Sequence, residues 1–187
     1  ITQWASPFLL KTRMLPDLGI FAQDQWTINN LTLNLGIRFD WLRFYVPATT
    51  VAAGPFLPAR SFPRVDNVPN WKDVSPRLGA AYDLFGTGKT AIKVSMGRYL
   101  EGLGTVIADA NNPALAIVTA ASRTWNDANR DFIPQATELG PLSNSAFGTP
   151  VIRSRWAPDL LTGWGDRQEN WQTSASLQHE LRPGVGL

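Results

Sequence analysis

At 187 residues, with 44% hydrophobic and 17% charged side chains, the chain is long enough for one domain, but it carries fewer charges than the roughly 25% usual in soluble globular proteins. A net charge of +2, with Lys and Arg scattered rather than clustered, supplies no nucleic-acid-binding surface, and the absence of Cys excludes a disulfide framework, a thiolate metal site and a thiol nucleophile. Eight Trp and nine Phe point instead to an interfacial setting.

No run approaches the roughly eighteen apolar residues of a spanning helix. The opening Ile1-Thr2-Gln3-Trp4 has no basic segment followed by an apolar core, so an internal piece of a longer chain is expected. The first element covers about Gly19 to Ile28 and the second about Leu31 to Phe44, joined by the two-residue turn Asn29-Asn30, whose residues tolerate positive φ. From Leu31 to Trp41 every odd position is apolar and nearly every even one polar or small, the period of a strand with one greasy and one wet face. Pairing across the turn sets Trp26 opposite Leu33, Ala22 opposite Ile37 and Ile20 opposite Phe39 on the apolar face. Gln23, Gln25, Thr32, Asn34, Arg38 and Asp40 share the polar one, and Asp24 is the exception on the apolar side.

A connection of about residues 46–72, rich in Pro and Gly and without periodicity, reads as a loop. The third strand, about Ser75 to Phe85, and the fourth, about Thr90 to Glu101, alternate again. Leu84 and Ile92 share a face only if the turn around Gly86-Thr87-Gly88-Lys89 has an odd number of residues, which predicts three or five. Arg98 then has lipid-face parity. A charge there costs about 2–4 kcal/mol at mid-bilayer and roughly 0–1 near an interface, which places it at the rim. A second long loop, about 103–165, precedes a fifth strand at about Trp171 to Leu181; Arg182-Pro183-Gly184 turns into the start of a sixth at Val185-Gly186-Leu187. Strands of about ten to twelve residues, tilted by about 40°, rise roughly 26–31 Å and cover the ~25 Å apolar band of outer-membrane barrels. The expected fold is therefore all-β: an antiparallel transmembrane β-barrel segment, about five to six strands of a larger barrel, with long extracellular loops and short periplasmic turns.

Motifs for other chemistries are weak. Gly88-Lys89-Thr90 ends like a phosphate-binding loop, but Asp83 stands where the pattern needs Gly, and a strand follows instead of a helix N-terminus. Asp127, Asn129 and Asp131 have the one-three-five spacing of a calcium loop with Glu138 at the twelfth place, yet Phe132 occupies the position of the turn glycine, so a solvated acidic loop is expected. His179, the only histidine, has lipid-face parity near a turn. The lumen-side carboxylates Asp40, Asp83, Glu101 and Glu180 form no acid-base pair, and Asp40 is expected beside Arg77. No enzymatic constellation, cofactor site or metal site is expected. Trp26, Trp41 and Trp171 belong at the aromatic girdles, whereas Trp125, Trp156 and Trp164 read as loop packing.

Gly19-Ile20-Phe21-Ala22-Gln23-Asp24-Gln25-Trp26, Leu33-Asn34-Leu35-Gly36-Ile37-Arg38-Phe39-Asp40 and Ser75-Pro76-Arg77-Leu78-Gly79-Ala80-Ala81-Tyr82-Asp83, in that order, resemble the barrel of TonB-dependent outer-membrane receptors. Thr124-Trp125-Asn126-Asp127 with Asp131-Phe132-Ile133-Pro134, then Asn170-Trp171 and Gln178-His179-Glu180-Leu181, resemble the Oar-like subgroup, whose members often carry a carboxypeptidase-regulatory-like module. The resemblance implies a plugged barrel of about 22 strands that imports a scarce extracellular ligand with energy transmitted through TonB. Outer-membrane lipid, the rest of the barrel and the plug would be its partners. This chain shows no plug domain. A porin or adhesion barrel would share the alternation. A soluble β-sandwich would need polar outward faces. Leu35→Arg separates the classes: it should abolish membrane assembly of a barrel, read as loss of the heat-modifiable band on a gel, whereas a sandwich with that face in water would fold unchanged.

Overall fold

The computed structural model describes residues 1–152 and 155–186; Leu187, expected to continue a sixth strand, lies outside the described residues. The elements in chain order are β1 (Thr2–Trp4), β2 (Arg13–Ile28), β3 (Leu31–Tyr45), β4 (Thr49–Val51), β5 (Arg60–Phe62), β6 (Asn70–Asp83), β7 (Thr90–Leu100), α1 (Val106–Ala110), β8 (Ala120–Ser122), α2 (Pro158–Leu161), β9 (Thr162–Trp164), β10 (Glu169–Arg182) and β11 (Val185–Gly186). They gather into two compact units. One consists of Met14–Arg43, Asn70–Gly104 and Pro158–Leu187, the other of Ile1–Arg13, Phe44–Pro69 and Thr105–Ala157.

The first unit is a seven-stranded sheet in the order β11-β10-β7-β6-β3-β2, with β9 beside β6. Its registers interleave two kinds of row. Leu31–Tyr82–Ile92–Leu177, Leu33–Ala80–Val94–Ala175 and Leu35–Leu78–Met96–Thr173 lie on one face. Between them run Thr32–Ala81–Lys93–Ser176, Asn34–Gly79–Ser95–Ser174 and Gly36–Arg77–Gly97–Gln172 on the other. The apolar rows are open to their surroundings: Ile37, Val94 and Leu177 are 55%, 47% and 63% exposed. A continuous apolar face of this extent is foreign to a soluble monomer, and the opposite face holds too little apolar surface to serve as a core. That excludes the sandwich.

All three short turns lie at one end of the sheet. Asn29 takes φ 51 in the first, and the Thr27 and Thr32 hydroxyls meet across it at 3.5 Å. In the second, Leu84 N–H bonds the Thr90 carbonyl at 2.9 Å, leaving five residues, 85–89, in the loop, the odd number that face parity demands. Gly86 and Gly88 supply φ 67 and 74, and the Asp83 carboxylate accepts from Phe85 N–H at 3.3 Å and Gly88 N–H at 2.7 Å. Gly88-Lys89-Thr90 is thus a hairpin turn. The third turn is Pro183-Gly184, with Gly184 at φ 82.

The turns step along the sheet. The row of Leu31 reaches Leu177, yet β10 continues five positions further to Arg182. Five residues of stagger over the three spacings from β3 to β10, at about 3.3 Å rise and about 4.8 Å spacing, mean strands steeply tilted to the line of the turns, as in a membrane barrel. The sheet remains open, with β2 and β11 at its edges.

Two strands are longer than the alternation shows. β2 starts at Arg13 and contains Pro16, near its beginning and away from the short turns. β6 starts at Asn70 and contains Pro76. Its ladder with β7 ends at Arg77↔Gly97, one residue before Pro76, which has no N–H to offer. Beyond that point β9 pairs parallel with β6 through Asn70↔Thr162, Trp71↔Gly163 and Lys72↔Trp164, covering the edge that β7 has left.

The long connections are not structureless. In the second unit β1 pairs with β8, β4 with β5, and Val51, Phe62, Ala114 and Ile117 form a buried cluster against which Phe8 packs. Three-residue strands are too short to display a period of two, so residues 46–72 and 103–165 read as loop from sequence. Asp83→Ala removes both bonds to the second turn and should lower the stability of the assembled barrel by about 1–2 kcal/mol, measured as a shift in the urea unfolding midpoint.

Candidate functional site

The polar rows line a trough of ≈ 960 Å³ between β2 and β10, with Gln23, Gln25, Asn34, Ser95, Gln172 and Ser174 in its wall. Small residues keep this wall low: Gly36, Gly79 and Gly97 lie within the rows, and the Ser95 and Ser174 hydroxyls bond each other at 2.7 Å. At Gly97 the low wall has a specific use. A Cβ there would sit 3.0 Å from the Tyr99 ring, so the glycine lets Tyr99 lie flat, and the Arg77 guanidinium stacks 4.7 Å above the ring centre.

At the end away from the short turns the face becomes charged. Asp40 and Asp73 stand directly opposite each other on β3 and β6, an arrangement that repels unless each carboxylate has its own cation. Arg38, two residues along the same face, takes Asp40 with Nε at 2.9 Å from both oxygens. Arg98 takes Asp73 through Nη2 at 3.0 Å and Glu169 through Nε, and its Nη1 donates to the Val74 carbonyl at 2.7 Å. Two expectations are corrected here. Asp40 is bonded to Arg38 rather than to Arg77, because the same-strand neighbour lies closer. Arg98 sits at the rim as expected but does not face lipid: it is buried, and since the β6–β7 ladder stops before Pro76 its side chain turns inward to the unpaired Val74 carbonyl.

The other carboxylates do not converge. Asp83 and Glu180 serve turns, the latter accepting the Gly184 N–H at 3.3 Å. His179 bonds Thr90 Oγ1 through Nδ1 at 2.8 Å beside the second turn. Asp24 is satisfied on the apolar face by Trp26 Nε1 at 2.6 Å and Gln25 N–H at 2.8 Å. Trp164, read as loop packing, instead belongs to β9: its ring lies 5.8 Å from Phe39, and Lys72 Nζ sits 5.6 Å from the Trp41 ring and 5.7 Å from that of Trp164. With Trp171 these make the aromatic and cationic border of the apolar face at this end.

In the second unit, the carboxylate oxygens of Asp127, Asp131 and Glu138 lie within 4.8 Å of one another. Asp127 accepts the N–H groups of Asp131 and Phe132, Asn129 bonds Asp131 through both its oxygen and its amide, and Trp125 Nε1 donates to Glu138 at 3.2 Å. Phe132, at the place of the turn glycine, takes φ 59. The four residues singled out by spacing are therefore brought together in a hydrogen-bonded acidic loop.

Sequence reasoning missed Asp73, Glu169 and the ion cluster they form with Arg98. Asp73 has the parity of Ser75 and Arg77, so extending the third strand past Pro76 would have exposed it.

A tilted, two-faced antiparallel sheet with short turns at one end and an aromatic border at the other defines a segment of an outer-membrane β-barrel. The chain belongs to the outer membrane beta barrel domain family, whose model matches residues 9–187, and its location is the outer membrane. Neither the curated proteins nor the solved structures give a match. By the architecture of such barrels the charged rim is at the extracellular end. Asp73 is 1% exposed and Arg98 8% at their side chains, so Asp73→Asn should cost about 3 kcal/mol of barrel stability, the lower end of the range for a broken buried pair because Glu169 remains. Equilibrium unfolding in urea measures it.

Proposed function

We propose that the chain forms part of the membrane-spanning barrel of a TonB-dependent receptor that takes up a scarce extracellular ligand. The observation that carries this reading is the placement of the three resembling segments: Gly19–Trp26 lies in β2, Leu33–Asp40 in β3 and Ser75–Asp83 in β6, three neighbouring strands of one sheet. Their polar residues line the trough and their apolar ones face the bilayer. Extracellular connections that fold into a compact unit of their own suit ligand capture better than a freely open pore. The partners in this reading are outer-membrane lipid, the remaining strands and plug of the parent barrel, TonB and the extracellular ligand. Nucleic acid, catalysis and a resident cofactor have no part in it. The Oar-like subgroup is the finer assignment, resting on Thr124–Asp127, Asp131–Pro134 and Gln178–Leu181.

The intact parent protein, purified in detergent, should bind the periplasmic domain of TonB in a calorimetric titration and stay closed in planar bilayers. Stepwise open-channel conductance without TonB binding would overturn the reading in favour of a porin-type barrel.

A further inference from the structure

Beside the trough, at the charged end of the same sheet, lies a smaller cavity of ≈ 210 Å³ whose wall includes Arg38, Asp40, Ser75, Arg77, Arg98 and Arg167. Four guanidinium groups face one carboxylate across this space. Two of the four are occupied, Arg38 by Asp40 and Arg98 by Asp73 with Glu169. The other two make no ion pair at contact distance among the described residues: Arg77 rests on the Tyr99 ring, and Arg167, whose charge is felt by Asp73, donates Nε to the Glu101 carbonyl at 2.7 Å, which leaves N–H groups of each fork for a further acceptor.

An independent observation marks the same place. Ser75 is 2% exposed, and its Oγ has no hydrogen-bond partner among the described residues. It belongs to the wall of this cavity and of the trough alike. An orphaned buried hydroxyl costs about 1–3 kcal/mol, a cost that a bound acceptor would offset.

We infer that this cavity binds an oxyanion, the carboxylate or phosphate group of the solute that enters the barrel from outside. The anionic oxygens of both groups accept hydrogen bonds, as two guanidinium forks and a hydroxyl require, and planar Arg forks match their geometry. The volume lies below the roughly 300 Å³ at which drug-sized sites begin, so the cavity takes a single charged group, while the amides and hydroxyls of the adjoining trough receive a polar, uncharged remainder. This assignment rests on the uptake reading for its physiological sense but not for its chemistry.

The test uses the intact barrel in detergent, with folding verified by its heat-modifiable gel mobility. Inorganic phosphate is followed by phosphorus NMR line broadening, and acetate by saturation transfer from the protein. Binding of phosphate alone or of acetate alone assigns the group; binding of both supports a general oxyanion site. Arg77→Gln and Arg167→Gln should each weaken binding about tenfold, equivalent to about 1.4 kcal/mol, and Ser75→Ala severalfold. Lys93→Gln, on the same strand face but nearer the short turns and outside both cavities, should leave it unchanged. The inference is overturned if the folded wild-type protein binds neither probe, if the Arg variants bind as well as it does, or if Lys93→Gln is as damaging as they are, which would reveal only a diffuse positive potential. A protein that binds the anion but not TonB keeps the site and loses the uptake reading. One that binds TonB but neither anion does the reverse.

Discussion

In a bilayer no water is available to an unpaired peptide group, and the outer edge of β6 shows how this chain meets that requirement. From Arg77 to Asp83 the edge pairs with β7; at Val74 the partner is the Arg98 side chain; from Asn70 to Lys72 it is β9. The break in the ladder traces to Pro76, which cannot donate. Its consequence is chemical as well as structural. Because the ladder stops, Arg98 is turned inward, Asp73 and Glu169 gather around it, and a charged rim forms at the end of the polar wall.

That wall depends in turn on parity. Each turn must return the chain with its apolar residues on the same side, and the five-residue loop closed by Leu84 and Thr90 does so as strictly as the two-residue turn at Asn29-Asn30. Once the rows are in register, the choice of small residues at Gly36, Gly79 and Gly97 sets the depth of the trough, and the one at Gly97 positions Tyr99 beneath Arg77. The candidate binding face is therefore a product of strand pairing rather than of any local motif.

This explains what could be read from the residues and what could not. Alternation over ten or more positions identified β2, β3, β6, β7 and β10, their faces and the turn parity, because burial in lipid imposes the pattern on every residue of a strand. It failed where the pattern is short or interrupted. Pro76 hid the first part of β6 and with it Asp73. The three-residue strands β1, β4, β5, β8 and β9 carry no readable period, so from sequence Trp164 reads as a loop residue. Strand pairing alone points Asp40 to Arg77, whereas Arg38, two residues away on the same face of the same strand, reaches it first. In the acidic loop, expected to be solvated, Asp127, Asp131 and Glu138 come close together although the intervening residues depart from the calcium-loop pattern.

The connection between β7 and β10 bears on the order of events during assembly. Hairpins such as β6–β7 close locally, but β10 must find β7 across the whole stretch from Glu101 to Gln168, and for a flexible chain each doubling of loop length adds about 0.6 kcal/mol of closure entropy. Here most of that stretch is itself folded, and its ends are fastened by the Glu101 N–H bond to the Gln168 carbonyl at 2.9 Å. That bond sits directly beside the first pair of the β7–β10 ladder, so once it forms the strands can zip from this end, and the long connection is closed once rather than at every pair.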